Sequence, residues 1–192
     1  MEVRTCSRSG GRIVGSKTLS AGTTRSQRAV LDSGHLRHDA DIQTVNVRKA
    51  HFYSSDGLEI DHRDSYKFNI AAYELAKLLD IHTVPASVKR RVNRRPSAVT
   101  WWIDDVLMIE LDRHKYGTKP PDRSAWLRQM QRVFVLDELI YNTDRNRSNL
   151  VSRLQRIDPH LLAKLRTLDR DTVSGRMRDY LTRSALDAQL AR

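Results

Sequence analysis

The chain has 192 residues, 39% hydrophobic and 30% charged with only 8 Gly and 5 Pro, which excludes a wholly disordered chain and leaves room for one core or two small lobes. Lys and Arg number 34 against 23 Asp and Glu, so the formal charge of +11 favours anionic partners such as nucleic acid, nucleotide or acidic lipid. Cys6 is the only cysteine, which excludes an internal disulfide framework and a thiolate zinc cluster, and no apolar run approaches the roughly 20 residues of a membrane span.

Residues 1–26 are rich in Ser, Gly, Thr and Arg without periodicity and read as a flexible basic arm, with no signal-peptide-like apolar stretch; a cytoplasmic location is the expectation. From Arg28 to Val47 the pattern predicts two short strands joined by a turn at Asp32-Ser33-Gly34. A second turn at Ser55-Asp56-Gly57 leads into an amphipathic helix over 66–80, with Phe68, Ala71, Ala72, Leu75, Leu78 and Leu79 on one side and Val84-Pro85 as its stop. "ASVKRRV" and "AVTWWID" then read as a second strand pair around the basic turn "NRRPS", with Trp101 and Trp102 on opposite faces and one of them buried.

A polar connector follows and ends at Pro120-Pro121, after which Asp122 or Ser124 caps a long helix through Trp126, Met130, Phe134, Leu136 and Ile140. Its second half is apolar on nearly every side, as in a buried central helix. Further helices are expected in "DPHLLAKLRTL", with Asp158 as cap and Pro159 at the first position, in "DTVSGRMRDYL" and in "RSALDAQLAR". The order predicts an α+β protein with a sheet-rich lobe over 27–104 and a helical lobe over 105–192.

Two stretches carry the spacing of an aspartate followed five residues later by an asparagine, which in kinase loops pairs a catalytic base with a magnesium ligand. His62-Arg63-Asp64 with Asn69 has the letters, but Asn69 falls in the amphipathic helix, so Asp64 or Ser65 reads as a helix cap. Asp144 with Asn149 has the context: a rigid apolar helix delivers it and an irregular polar loop, 142–150, holds it. By spacing alone a turn after the helix end at Asn142 is the better reading of Asp144. The seven histidines show no metal-site spacing, there is no glycine-rich nucleotide motif, and "LSAGTT" reads as a connector that could cover a phosphate through its amides.

At "FNIAAYELAKLLDIHTVPASV", "AVTWWIDDVL" and "LDELIYNTDRNRSNL" the sequence resembles a bacterial branch of the atypical kinase-like fold, whose relatives include HipA-type toxin kinases, phosphatidylinositol 3- and 4-kinases and secretory-pathway casein kinases. The resemblance implies a two-lobe architecture and ATP-dependent phosphotransfer to an unknown acceptor. It implies Asp144 as catalytic base, Asn149 as magnesium ligand, and Trp101 and Trp102 beside the adenine.

Departures accompany the resemblance. Where the fold places a strand Lys against the nucleotide phosphates the chain has Gln43, and where a helix Glu would pair with it the chain has Asn69. Two neutral amides can hydrogen bond, but they supply no positive charge for a triphosphate. After Leu150 the chain passes almost directly to the helix at Pro159, about 25 residues short of the usual parts, which include the second metal aspartate. Asp158 stands as the surviving metal candidate, although a helix cap is a sufficient role for it. The expectation is an impaired or inactive kinase-like protein; the alternatives are a non-catalytic basic module for nucleic acid or acidic surfaces and a truncated gene product.

Overall fold

The computed structural model describes residues 11–19, 26–54, 57–104, 110–120, 122–140 and 159–182. Its elements in chain order are strands β1 (Arg12–Thr18), β2 (Gln27–Asp32), β3 (Arg37–Gln43), β4 (Asn46–Ser54) and β5 (Gly57–Ser65), helix α1 (Lys67–Leu78), strands β6 (Ser87–Val92) and β7 (Arg95–Trp101), and helices α2 (Glu110–Lys115), α3 (Arg123–Ile140), α4 (Pro159–Arg166) and α5 (Arg170–Met177). The class is α+β with antiparallel sheets. Two compact units emerge, one of residues 1–71 with 85–102 and one of 72–84 with 103–192.

The first unit is built on a five-stranded antiparallel sheet in the order β1-β2-β3-β7-β6. β1, β2 and β3 form a meander in which Lys17 meets Arg28 and Arg28 meets Asp41. β3 then pairs with β7, Gln43 opposite Ala98 and Ala40 opposite Trp101. β6 joins the far side of β7 through a two-residue turn in which Asn93 (φ 49°) and Arg94 (φ 65°) are both left-handed, the backbone that matches strand twist in tight hairpins. Pro96 is tolerated in this inner strand because β3 pairs with β7 only from Ala98 onward.

Strand alternation separates the two faces. One buries Ala29, Leu31, Ala40, Ile42, Val92 and Val99, with Ile13 and Val88 against them. Arg90 of the edge strand β6 donates to the Gly11 carbonyl, just before the other edge strand β1, at 3.2 Å. Gly11 is required there, since an added Cβ would lie 2.8 Å from the backbone of Asp32. The segment expected to be a flexible arm therefore contains a sheet strand over 12–18. Its outer residues are almost all exposed, so neither apolar alternation nor β-branched density announced it.

β4 and β5 pair only with each other in a separate two-stranded sheet, closed at its base by Asn46 opposite Ser65. The last pair of this hairpin is Ser54 with Gly57, and the other two residues of the expected turn, 55 and 56, lie outside the described residues. His62, Arg63 and Asp64 lie on β5 rather than at a helix start; of the two cap candidates only Ser65 serves, its Oγ accepting from the Lys67 amide at 3.3 Å. α1 ends earlier than Val84-Pro85. Asp80 (φ 58°) adopts the left-handed conformation and the Ile81 amide returns to the Ala76 carbonyl at 2.8 Å, a C-terminal cap made without glycine.

The second unit gathers Leu75, Ala76, Leu79, Ile81, Val135, Leu136, Leu161, Val173 and Met177 into one core. The buried stripe of α1 is Ile70, Ala71, Leu75, Ala76 and Leu79, rotated from the expected one so that Phe68 stands exposed. Asp122 Oδ1 accepts from the Ala125 amide at 2.9 Å and starts α3, and Asp169 Oδ1 accepts from Thr172 at 2.6 Å and starts α5. Both carboxyls are held below their ordinary range chiefly by those amide bonds. The polar connector contains a helix of its own, α2, and α3 buries Val135, Leu136 and Asp137 near its end.

Candidate functional site

The sheet face opposite the apolar core is polar. Because side chains alternate along β2, β3 and β7, Arg28, Asp39, Asp41, Gln43, Thr100 and Trp102 share it. Gln43 is the last residue of β3, and the first turns of α1 bring Asn69 to it: Asn69 Nδ2 donates to Gln43 Oε1 at 2.6 Å. The amide pair read from the sequence is thus a direct contact between strand and helix, in a partly buried setting.

One strand away, Arg28 Nε donates to Asp39 Oδ2 at 2.6 Å, and the guanidinium lies over the Trp102 ring with its carbon 4.3 Å from the centroid. The Trp102 amide donates to the Asp39 carbonyl at 3.1 Å, fixing the ring at the end of β7. Trp101 points to the other side, where its ring stacks on His38 at 3.5 Å between centroids and 15° between planes. The two tryptophans do face oppositely, as alternation requires, but neither is buried; each is partly covered by a polar neighbour. Only Trp102 shares a face with Gln43. His38 and Asp39 likewise diverge, His38 Nδ1 lying 2.7 Å from the Asp39 carbonyl while the Asp39 carboxylate meets Arg28.

A shallow depression of about 410 Å³ opens on the same polar face, lined by Gly15, Ser16, Lys17, Arg28, Val30 and Asp39. Beside it Asp41 has a buried Oδ1 that no donor among the described residues reaches. Burial pushes its carboxyl above the ordinary range, and a bond to Ser26 opposes the shift. A raised folded-state pKa means that this group favours folding most when protonated, below its unfolded pKa, and loses that contribution as pH rises through the folded value. Asp41→Asn is accordingly expected to raise Tm at pH 7 and to lose its advantage in acid, where the parent carboxyl is also neutral; equal Tm values at pH 7 would contradict the burial of a charge here.

Asp144, Asn149 and Asp158 lie outside the described residues, as does most of "LSAGTT", although the Leu19 amide donates to the Ser26 carbonyl at 2.9 Å and draws the ends of that β1–β2 connection together. Among the described residues no group of three or more His, Cys, Asp or Glu could hold a metal ion. Arg28, Asp39 and Asp41 were not marked by the sequence. Their relation depends on strand register, and only the offset between residues 28 and 39–41 around a turn near 34 could have indicated it. No family model, curated protein or solved structure matches the chain.

Proposed function

We propose that this chain is an atypical kinase-like domain, descended from an ATP-dependent phosphotransferase and impaired in phosphoryl transfer. The observation that carries the reading is the Asn69–Gln43 hydrogen bond, which joins strand and helix at the place the resemblance gives to the Lys–Glu ion pair. The sheet order β1-β2-β3-β7-β6, with a helix entering between β3 and β6, is consistent with it: the connection after β3 brings a helix side chain back to the end of that strand.

In this reading Asp144 is the base that orients the attacking hydroxyl, and Asn149, with Asp158 as the second candidate, would hold magnesium. Trp102, under the Arg28 guanidinium, is on the sheet face that this reading gives to the adenine. Phosphoryl transfer depends on cations placed against the phosphates, and at the Gln43 position the described residues offer an amide instead. Each 1.4 kcal/mol of lost transition-state stabilisation slows transfer about tenfold, so loss of a cation at this position is expected to impair transfer.

Thermal shift with ATP and magnesium, on the parent and on Asp144→Asn, tests the reading. A rise in Tm for the parent is expected, with little change in Asp144→Asn, because Asp144 acts on the acceptor rather than on the nucleotide base. No shift in either protein removes the kinase-like reading.

A further inference from the structure

We propose that the β6–β7 hairpin is a DNA-binding ribbon that enters the major groove of a duplex and holds its phosphates, independently of any nucleotide beside Gln43. Residues 81–103 contain Lys89, Arg90, Arg91, Arg94 and Arg95 and no Asp or Glu. Across the ladder Lys89 meets Ala98, Arg90 meets Ser97, Arg91 meets Pro96 and Val92 meets Arg95, so no carboxylate stands opposite a cation of this hairpin. β6 is an edge strand, and β3 pairs with β7 only from Ala98 onward. The end of the ribbon, from Arg90 to Ser97, therefore extends past its neighbours in the sheet among the described residues.

Strand alternation puts Lys89 and Arg91 on one face of the ribbon, Arg90 and Arg95 on the other, and Arg94 at the tip. A flat anionic surface meets only one face of such a ribbon, whereas a groove has a phosphate backbone on each wall. A membrane would also call for apolar or aromatic anchors, and among the described residues the exposed large hydrophobic side chains skip from Phe68 to Ile103. The same lack of rings disfavours single strands, whose bases stack on aromatic side chains. The major groove of B-form DNA, about 12 Å wide and 8.5 Å deep, admits a two-stranded ribbon, while the major groove of A-form RNA is too deep and narrow for side chains to read. At about 3.4 Å per residue the pairs beyond Ala98, with their turn, reach about 10 Å. All the cations except Lys89 are arginines, whose planar fork matches phosphate oxygens. The ribbon is also braced in advance: Arg91 donates to the Arg94 carbonyl at 3.0 Å, Ser97 Oγ to the Arg95 carbonyl at 3.0 Å, and Arg90 to the Gly11 carbonyl at 3.2 Å. Arg94, at φ 65°, occupies the turn position that favours glycine, so a charge stands where turn chemistry alone would not put it.

The test is fluorescence anisotropy of the intact chain with a labelled DNA duplex of about 20 base pairs, over about 50–200 mM KCl. With Lys89, Arg91, Arg94 and Arg95 on phosphates, the logarithm of the association constant is expected to fall with the logarithm of salt at a slope at least as steep as about −3.6, since each neutralised phosphate contributes about −0.9. Arg94→Gly with Arg95→Thr is expected to reduce that slope by about 1.8 and to weaken binding at least about tenfold at 0.1 M salt. Arg94→Gly by itself suits the left-handed turn better than arginine, so its Tm is expected to equal or exceed the parent's, which separates lost binding from lost fold. Lys115→Gln with Lys119→Gln removes the same charge from another exposed place and is expected to leave the slope within about half a unit of the parent's. An equal loss in the two double variants would overturn the inference, because binding would then follow total charge and not the hairpin. No binding by the parent at about 50 mM salt would overturn it too, as would duplex RNA bound as tightly as the DNA. Vesicles of phosphatidylserine that the parent binds and the hairpin variant releases, while its DNA binding is unchanged, would assign the ribbon to a lipid surface instead.

Discussion

Ile42→Ala is expected to lower the unfolding free energy by about 3 kcal/mol, within the roughly 2–5 kcal/mol observed for truncating a buried aliphatic side chain to alanine. Ile42 is 2% exposed and sits in the middle of the face that Ala29, Leu31, Ala40 and Val99 also bury. Its partners are two strands, Gln27 of β2 on one side and Val99 of β7 on the other, so backbone pairing holds the surrounding residues apart and limits collapse into the void. For a chain of this length the change corresponds to a fall in Tm of about 6–12 °C. Ile42 also precedes Gln43, so the same variant tests whether the strand end that presents the amide depends on the core behind it. A Tm within about 2 °C of the parent would show that this face is not the core it is described to be.

Leu79→Ala is the counterpart in the helical unit, with a similar expected loss of about 3 kcal/mol. Leu79 is 1% exposed, among Leu75, Ile81, Val135, Leu136, Leu161, Val173 and Met177. It directly follows α1, where the chain reverses at Asp80, and its amide still bonds to the Leu75 carbonyl at 3.1 Å. The side chain therefore anchors a helix end, a place with little freedom to relax toward a cavity. Chemical denaturation followed by circular dichroism gives the measurement: the midpoint should fall while the slope with denaturant stays constant. A changed slope would mean that the variant alters the denatured or native ensemble instead.

The hairpins at 27–43 and 87–101 were legible because β-branched and apolar residues alternate about recognisable turns. The stretches that gave no such signal were the ones exposed on both sides. β1 is an edge strand with a single partly buried position, and β4–β5 displays Val47, Tyr53, Leu58 and Ile60 to solvent, so their residue choices are not filtered by a core. α2 is only six residues long, too short for a periodic pattern to declare itself.

In the candidate site, Gln43 and Asn69 were singled out through the resemblance, which implies a Lys and a Glu at those positions, and the two side chains are in contact. Arg28, Asp39 and Asp41 were not, because cross-strand register is fixed by the turn and by packing of the opposite face, neither of which is local to those three residues. Trp101 and Trp102 were separated correctly by alternation alone, while their partners His38 and Arg28 depended on the same register.

The β4–β5 hairpin leaves the main path of the chain at Asn46 and returns at Ser65, and those two residues are paired, with Ser65 Oγ donating to Asn46 Oδ1 at 2.8 Å and the Tyr66 amide to the Val45 carbonyl at 2.7 Å. The distance the chain must bridge between β3 and α1 is therefore set at the hairpin's base, whatever lies beyond it. Doubling the length of such an excursion costs only about 0.6 kcal/mol of closure entropy. Evolution can thus lengthen, trim or replace this arm while Gln43 and Asn69 stay in contact, and a purification tag or fluorescent label at its tip would report on the protein from outside the site.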